Sequence, residues 1–579
     1  MVENKPVNKR HKDTSLEATR EEKPVATAVS KLAEEIFSLS ASDALHRVLT
    51  AENPGRMIQS MSRVDFYWLV KKIGEDDASV VLSMASAEQW EYLLDMELWK
   101  RDRLDLTKAS EWLARLEDAD ATRLVQWLCG ERESLAFFYF FKKLQVEIKG
   151  KDDVYELGGD FVSFDGIHFF RVLDKEYEEV IKKILQRLAL VDFERYRALL
   201  SSLAGALSDE LEEDMYRLRN VRLAEDGFLP YDEAISLYSH LRPEALTAQG
   251  ISPQVEQPTP EGEEETPAPV IPLIHAPGNN LFMASAKRVA DPFLMDRIRL
   301  EFAGLCNQIL AADGEEVRDI DTLLRVCRKA AGYIHLGLDT TTGGHLPAAE
   351  ELVRKNALTS IFRVGFGLAL ELKWEAERWA KKAWFKRQGF NISFWGEKWG
   401  STLEGLLEKR PRLFQGSQKD EPFKDFEKTA ELEECRITIK RLIALDRLLE
   451  VLAFQYTVDS EWVRDPLFTF HPMVFNLWAR IQMGLKLGFG SLSLDQAKAF
   501  FQHLRANEVS APYRMPGFAD RFVADLTAYA SAPQFEGIHD LEETLSLLWE
   551  NFVEEYAWVS VSELDERFMT FLRVRPDGF

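Results

Sequence analysis

Cysteine is scarce in this chain: four residues among 579, at positions 129, 306, 327 and 435, with no CxxC spacing. That excludes a disulfide-stapled secreted scaffold and leaves no zinc-ligand pattern. Each thiol sits on or beside an apolar helical stripe; Cys306, for example, accompanies Leu294, Ile298, Phe302, Leu305 and Ile309. Buried, unpaired thiols suit a reducing cytoplasm, which is the expected location. Long apolar runs are missing too. The most apolar stretch, 361–372, is broken by Arg363 and Glu371 and falls short of the ~20 residues that cross a bilayer. Lys5, Lys9, Arg10, His11 and Lys12 are not followed by the apolar run of a signal peptide. Positive charge is in deficit, with 72 basic against 96 acidic residues and a net charge of −24. Such a field repels nucleic acid and anionic lipid overall, although a local basic strip escapes the argument. HExxH, GxSxG, GxGxxG, the P-loop and the EF-hand loop are all absent, so no cofactor or metal is expected. Catalysis by residues far apart in the chain stays open.

What is present is helical punctuation. Four times in the first 120 residues an apolar residue, a short polar turn and an acidic residue open a new helical stretch: Met61–Asp65, Ile73–Asp77, Met84–Glu88 and Leu116–Asp120. The first three start 12 and 11 residues apart. A helix that short cannot bury its own apolar face, so neighbours must stack. Asp65, Asp76 or Asp77, and Asp118 or Asp120 are read as acceptors for free N–H groups at helix starts.

Length alone implies several domains. Residues 1–25 read as a charged disordered tail and 26–149 as the helical-repeat region, with Ser42 as an N-cap. At 150–246 the texture changes. Val154–Leu157 and Phe161–Phe164 precede Asp165-Gly166, and Ile167–Val172 follows, which predicts a β-hairpin or three-stranded ribbon before helices resume near Lys175. Seven prolines between Pro253 and Pro277, with Glu256, Glu261, Glu263, Glu264 and Glu265, mark 247–280 as an extended linker. Residues 281–579 read as a second, all-α domain. Its helices are expected at about 291–312, 320–337, 347–386, 427–457 and 541–556, with caps at Asp291, Asp321 and Ser493. The fold class is therefore mainly α: stacked helical repeats, a small β-hairpin insertion and a second all-α domain.

Three segments carry candidate chemistry. In the polar segment Glu212–Arg222, Arg219 and Arg222 share one helix face, and their guanidinium forks suit carboxylates or phosphates. The face is either a partner-docking surface or a salt-laced solvent face ending at Gly227. Glu233 and His240, seven residues apart, share a helix face and either bracket a ligand or lie at a core edge. The string Asp339–His345 offers Asp339, Thr341 and His345 as catalytic candidates on a loop that could cradle phosphate or activate a nucleophile. Thr and Gly also end helices for conformational reasons alone. Trp374, Trp379, Trp384, Phe385, Phe390, Phe394, Trp395 and Trp399 interleave with Arg378, Lys381, Lys382, Lys386, Arg387 and Lys398. Trp384, Trp395 and Trp399 are accordingly candidate partner-binding residues, the same mixture also suiting base stacking on nucleic acid or a membrane interface, against a reading in which the rings form core and the cations snorkel outward.

The stretch Arg222–Ala234, the Pro/Glu segment and the Leu-rich second half resemble an uncharacterised bacterial family known only as a domain of unknown function. That resemblance spans most of the chain and implies no activity. The repeats between Met57 and Leu128 resemble the superhelical cytosolic domain of magnesium-transporter proteins and the armadillo-like part of the flagellar motor switch. No transmembrane region follows here, which sets transport aside. The expectation is a non-enzymatic cytoplasmic scaffold or regulatory protein that binds a protein partner rather than nucleic acid, its oligomeric state open. The alternative is an enzyme or nucleotide-responsive protein using Asp339–His345.

Overall fold

The computed structural model describes residues 35–575 except 101, 150–157, 206, 207, 209, 249–266, 315, 316, 318, 418, 507, 509 and 531–536. The tail at 1–25, the strand expected at Val154–Leu157 and most of the Pro/Glu segment lie outside the described residues.

The protein is mainly helical, with strands only in small two-stranded sheets among the described residues. Helices Pro54–Gln59, Arg63–Ile73, Ser79–Met84, Ala87–Glu97 and Leu106–Cys129 follow the expected punctuation. The fourth junction falls inside Leu106–Cys129, where Asp120 leaves helical geometry and kinks the helix. Stacking runs to the next helix but one: Ala41–Leu49 packs on Arg63–Ile73, which packs on Ala87–Glu97, while Pro54–Gln59 packs on Ser79–Met84, which packs on Leu106–Cys129. Short helices bury their apolar faces this way because each has a neighbour on the same side of the stack. A buried amide ties the layers: Gln89 Nε2 donates to the carbonyls of Ile58 (2.8 Å) and Met61 (3.0 Å).

Capping departs from expectation in detail. Ser40, not Ser42, caps Ala41–Leu49, and Ser62 Oγ accepts from Asp65 N. Asp319, not Asp321, accepts from Thr322 N. Asp120 accepts from Arg123 N past its kink, but Asp76 instead pairs with Arg115 and Asp118 with Ser79. Asp291 and Ser493 cap their helices as expected, Ser493 in a reciprocal box with Gln496. The strand His168–Val172 pairs antiparallel with Leu144–Ile148, so the partner strand comes from before the expected hairpin; Phe161–Phe164 contributes a single bridge, Val162 to Phe170.

Two compact units divide the chain. Of the described residues, one comprises those within Met1–Ser239, Glu244–Ile334 and Thr342–Phe362, and the other those within His240–Pro243, His335–Thr341 and Arg363–Phe579. The division therefore lies away from 247–280. The described end of that segment is not an extended linker: Val270, Ile271, Pro272 and Leu273 are buried, and Ile271–Ile274 is a short helix. Its free N–H groups need acceptors, and Asp65 supplies them. Oδ1 accepts from Val270 N (3.0 Å) and Ile271 N (2.9 Å), and Oδ2 lies 2.9 Å from Val270 N. Burial pushes the Asp65 carboxyl up to about 6, against the pull of those bonds.

In the second unit Thr429–Gln455 packs against Trp384–Gln388, Gly396–Leu407 and Ile538–Tyr556. The same device recurs. Asp446, buried on the long helix, accepts from Trp384 N (2.8 Å) and Phe385 N (3.0 Å), and burial pushes it to about 6. Phe475 stacks with Phe522 and Phe552 at 5.0 and 4.8 Å in an aromatic core.

Candidate functional site

Helix Leu211–Ala224 carries Glu212, Glu213 and Asp214 in its first turn, where carboxylates oppose the dipole, and ends in a Schellman cap. Phe228 N donates to Leu223 O and Gly227 N to Ala224 O, with Gly227 at φ 86°. A side chain at Gly227 would also meet Gly304 O at 2.5 Å, so the turn is pressed against helix Pro292–Asp313.

The two faces of this helix do different work. On the inner face Arg222 forks onto Asp95, Nε to Oδ2 at 2.7 Å and Nη2 to Oδ1 at 2.8 Å, and reaches Glu91 at 3.1 Å. Arg132 pairs with Glu91 beside it. Arg219 Nε donates to Asp95 O at 2.6 Å, and its guanidinium lies over Trp99, 5.9 Å from the ring centroid. Burial pulls the Arg219 guanidinium below its usual value; Arg222 is held above its own because the Asp95 carboxylate outweighs burial. Arg219 and Arg222 are thus spent within the chain, clamping this helix to Ala87–Glu97. Next to them Arg63 pairs with Asp226 at 2.8 Å, and burial pushes Asp226 to about 6.

The outer face lines a groove of about 700 Å³. Glu210, Glu213, Asp214 and Glu233 bring four carboxylates to it, against one guanidinium, Arg217. That guanidinium is already paired with Asp214 at 3.2 Å. Val221, Ala224, Leu229 and Pro230 add apolar surface to the groove, and Val221 is 62% exposed. Its lining is thus acidic and apolar together. Of the residues expected to bind on this helix, Arg219 and Arg222 lie on its inner face, away from the groove. Glu233 lies on the groove, whereas His240, expected to share a ligand with it, bonds Glu371 at 3.0 Å.

The Asp339–His345 string is helical rather than a loop over most of its length, since Ile320–Thr342 runs through Asp339 and Thr341. Asp339 accepts from Thr429, and Thr341 Oγ1 donates back to Gly337 O at 2.7 Å. Gly343 and Gly344, at φ 60° and 79°, make the turn, and His345 stands exposed ahead of Leu346–Lys355 with no side-chain cap bond. The aromatic series is core except for Trp374, which is 40% exposed. Trp384, Trp395 and Trp399 are buried, Trp399 stacked on Phe470 at 5.5 Å and Trp395 edge-on to Phe385 at 5.4 Å. Arg378, Lys381, Lys382, Lys386, Arg387 and Lys398 point outward, as snorkelling cations do. Those three rings therefore offer no exposed surface.

Among the described residues no group of three or more His, Cys, Asp or Glu is placed to hold a metal ion. No helix there is long and apolar enough to cross a membrane. A family model described as a family of unknown function, DUF6178, matches residues 21–575. No curated protein and no solved structure matches the chain, so the resemblance of Met57–Leu128 to magnesium-transporter domains gains no support.

Proposed function

We propose that this chain, which belongs to the DUF6178 family, is a scaffold or regulatory protein that binds a Lys/Arg-bearing segment of a protein partner. The groove on helix Leu211–Ala224 carries this reading. Four carboxylates beside exposed apolar surface complement a cationic side chain whose methylene stem packs on Val221, Leu229 and Pro230. The same field disfavours nucleic acid. Free cysteines, including Cys306 and Cys327 with sulfurs 3.8 Å apart, fit a cytoplasmic location. An enzyme centred on Asp339, Thr341 and His345 has no comparable support, because two of the three are helical residues bonded within the chain.

Fluorescence anisotropy with a labelled Lys/Arg-rich peptide and a Glu-rich peptide of equal length tests the reading. The basic peptide should bind, weaken steeply between 50 and 500 mM salt, and lose at least tenfold in affinity when Glu213→Lys and Glu233→Lys are combined. Equal affinity for both peptides, or indifference to the double substitution, would refute it.

A further inference from the structure

The turn before strand His168–Val172 is held by one carboxylate. Asp165 Oδ1 accepts from Ile167 N (2.9 Å) and His168 N (2.8 Å), and Gly166 N donates to Ser163 Oγ at 2.9 Å. That leaves Asp165 Oδ2 to face His168 Nδ1 at 2.7 Å. On the far side of the ring, His168 Nε2 lies 2.8 Å from Ser201 Oγ. The aspartate and histidine side chains are only 3% and 5% exposed, whereas Ser201 is exposed in the last turn of helix Phe193–Leu203. Burial works to raise the Asp165 carboxyl, but the imidazole and the two backbone N–H groups outweigh it and hold the group below its ordinary range. An anionic Asp165 keeps the proton on Nδ1, so the lone pair of Nε2 faces the Ser201 hydroxyl.

We propose that Asp165, His168 and Ser201 form a nucleophilic site that cleaves small, unhindered carboxylic esters, with Ser201 as nucleophile, His168 as general base and Asp165 as the residue that orients the imidazole. Ser201 Oγ bonds to the ester carbonyl carbon as its proton passes to His168 Nε2; the ester C–O bond then breaks, and the alcohol leaves with that proton. Water adds to the acyl-serine, giving a proton to Nε2. The bond from carbon to Oγ breaks, the acid departs, and Ser201 regains its proton. Because Ser201 lies in a last helical turn, the dipole there opposes an oxyanion. Arg197, one turn earlier on the same face, has Nε 4.0 Å from Asp165 Oδ2 and adds positive charge beside that carboxylate. The exposed position selects for an accessible carbonyl rather than a particular acyl group.

Ser202 is an internal control. It is exposed beside Ser201, but its hydroxyl donates to Ala198 O at 2.9 Å and has no imidazole. The full chain is treated with a fluorophosphonate, which phosphonylates an activated serine with loss of fluoride, and the modified residue is read by peptide mass spectrometry. The expected result is labelling of Ser201 at least tenfold faster than Ser202. Hydrolysis of p-nitrophenyl acetate should be lost in Ser201→Ala, which removes only an exposed hydroxyl, and labelling should fall at least tenfold in His168→Gln. Labelling of Ser201 no faster than Ser202, or unchanged in a folded His168→Gln, would overturn the proposal. If circular dichroism shows His168→Gln unfolded, the Ser201-to-Ser202 ratio and Ser201→Ala decide it.

Discussion

Replacing Asp65 by Asn separates the two things that this buried carboxylate does. Its oxygens receive the N–H groups of Val270 and Ile271, and an amide oxygen can still accept from both. Its charge, however, is held in a site from which water is excluded, at 4% exposure, and burial pushes the carboxyl from the ordinary 3.8 to about 6. Between those values the folded chain keeps a proton that the unfolded chain has released. The stability tied to that proton is present in full below about 4 and is lost as pH rises through about 6. Two pH units of difference amount to about 3 kcal/mol, of which about 1.4 kcal/mol is lost between pH 5 and pH 7.5. Asparagine cannot titrate. Its spare N–H₂ faces the Val270 N–H and loses about 1–3 kcal/mol, an offset that does not change with pH. Urea unfolding of wild type and Asp65→Asn, followed by tryptophan fluorescence at several pH values, should therefore give curves that are not parallel. Wild type should lose about 1.4 kcal/mol relative to the variant over that range. Parallel curves would refute the reasoning, and so would a wild type that gains on the variant as pH rises. Comparing the two proteins cancels the other shifted carboxyls, Asp226 and Glu301 among them.

Gly227→Ala should destabilise the first unit by more than the ~1 kcal/mol of an ordinary Gly→Ala at a positive φ, because the new methyl meets Gly304 O at 2.5 Å; a thermal midpoint equal to that of wild type would contradict the close approach. Trp395→Ala should cost about 3–5 kcal/mol as a core truncation and leave binding of the basic peptide intact while the protein stays folded. Lost binding with unchanged unfolding would return that ring to the surface role.

Local chemistry decided the helices. The Asp291-Pro292 start, the Ser493–Gln496 box and the break at Asp120 are set by residues within a turn of one another, so they are legible in order along the chain. Stacking in the repeat region was legible for a related reason: helices that short have no other way to hide an apolar face. The two faces of Leu211–Ala224 were not distinguishable that way. Whether Arg222 meets solvent or Asp95 depends on a partner 127 positions away, and only packing brings the two together. The same holds for Asp65 under Ile271, Asp446 under Trp384, and Ser201 against His168, 33 positions apart. Periodicity along a helix tells which side chains share a face. What that face meets is settled by chain segments distant in sequence, because burial makes an unpartnered N–H or charge costly.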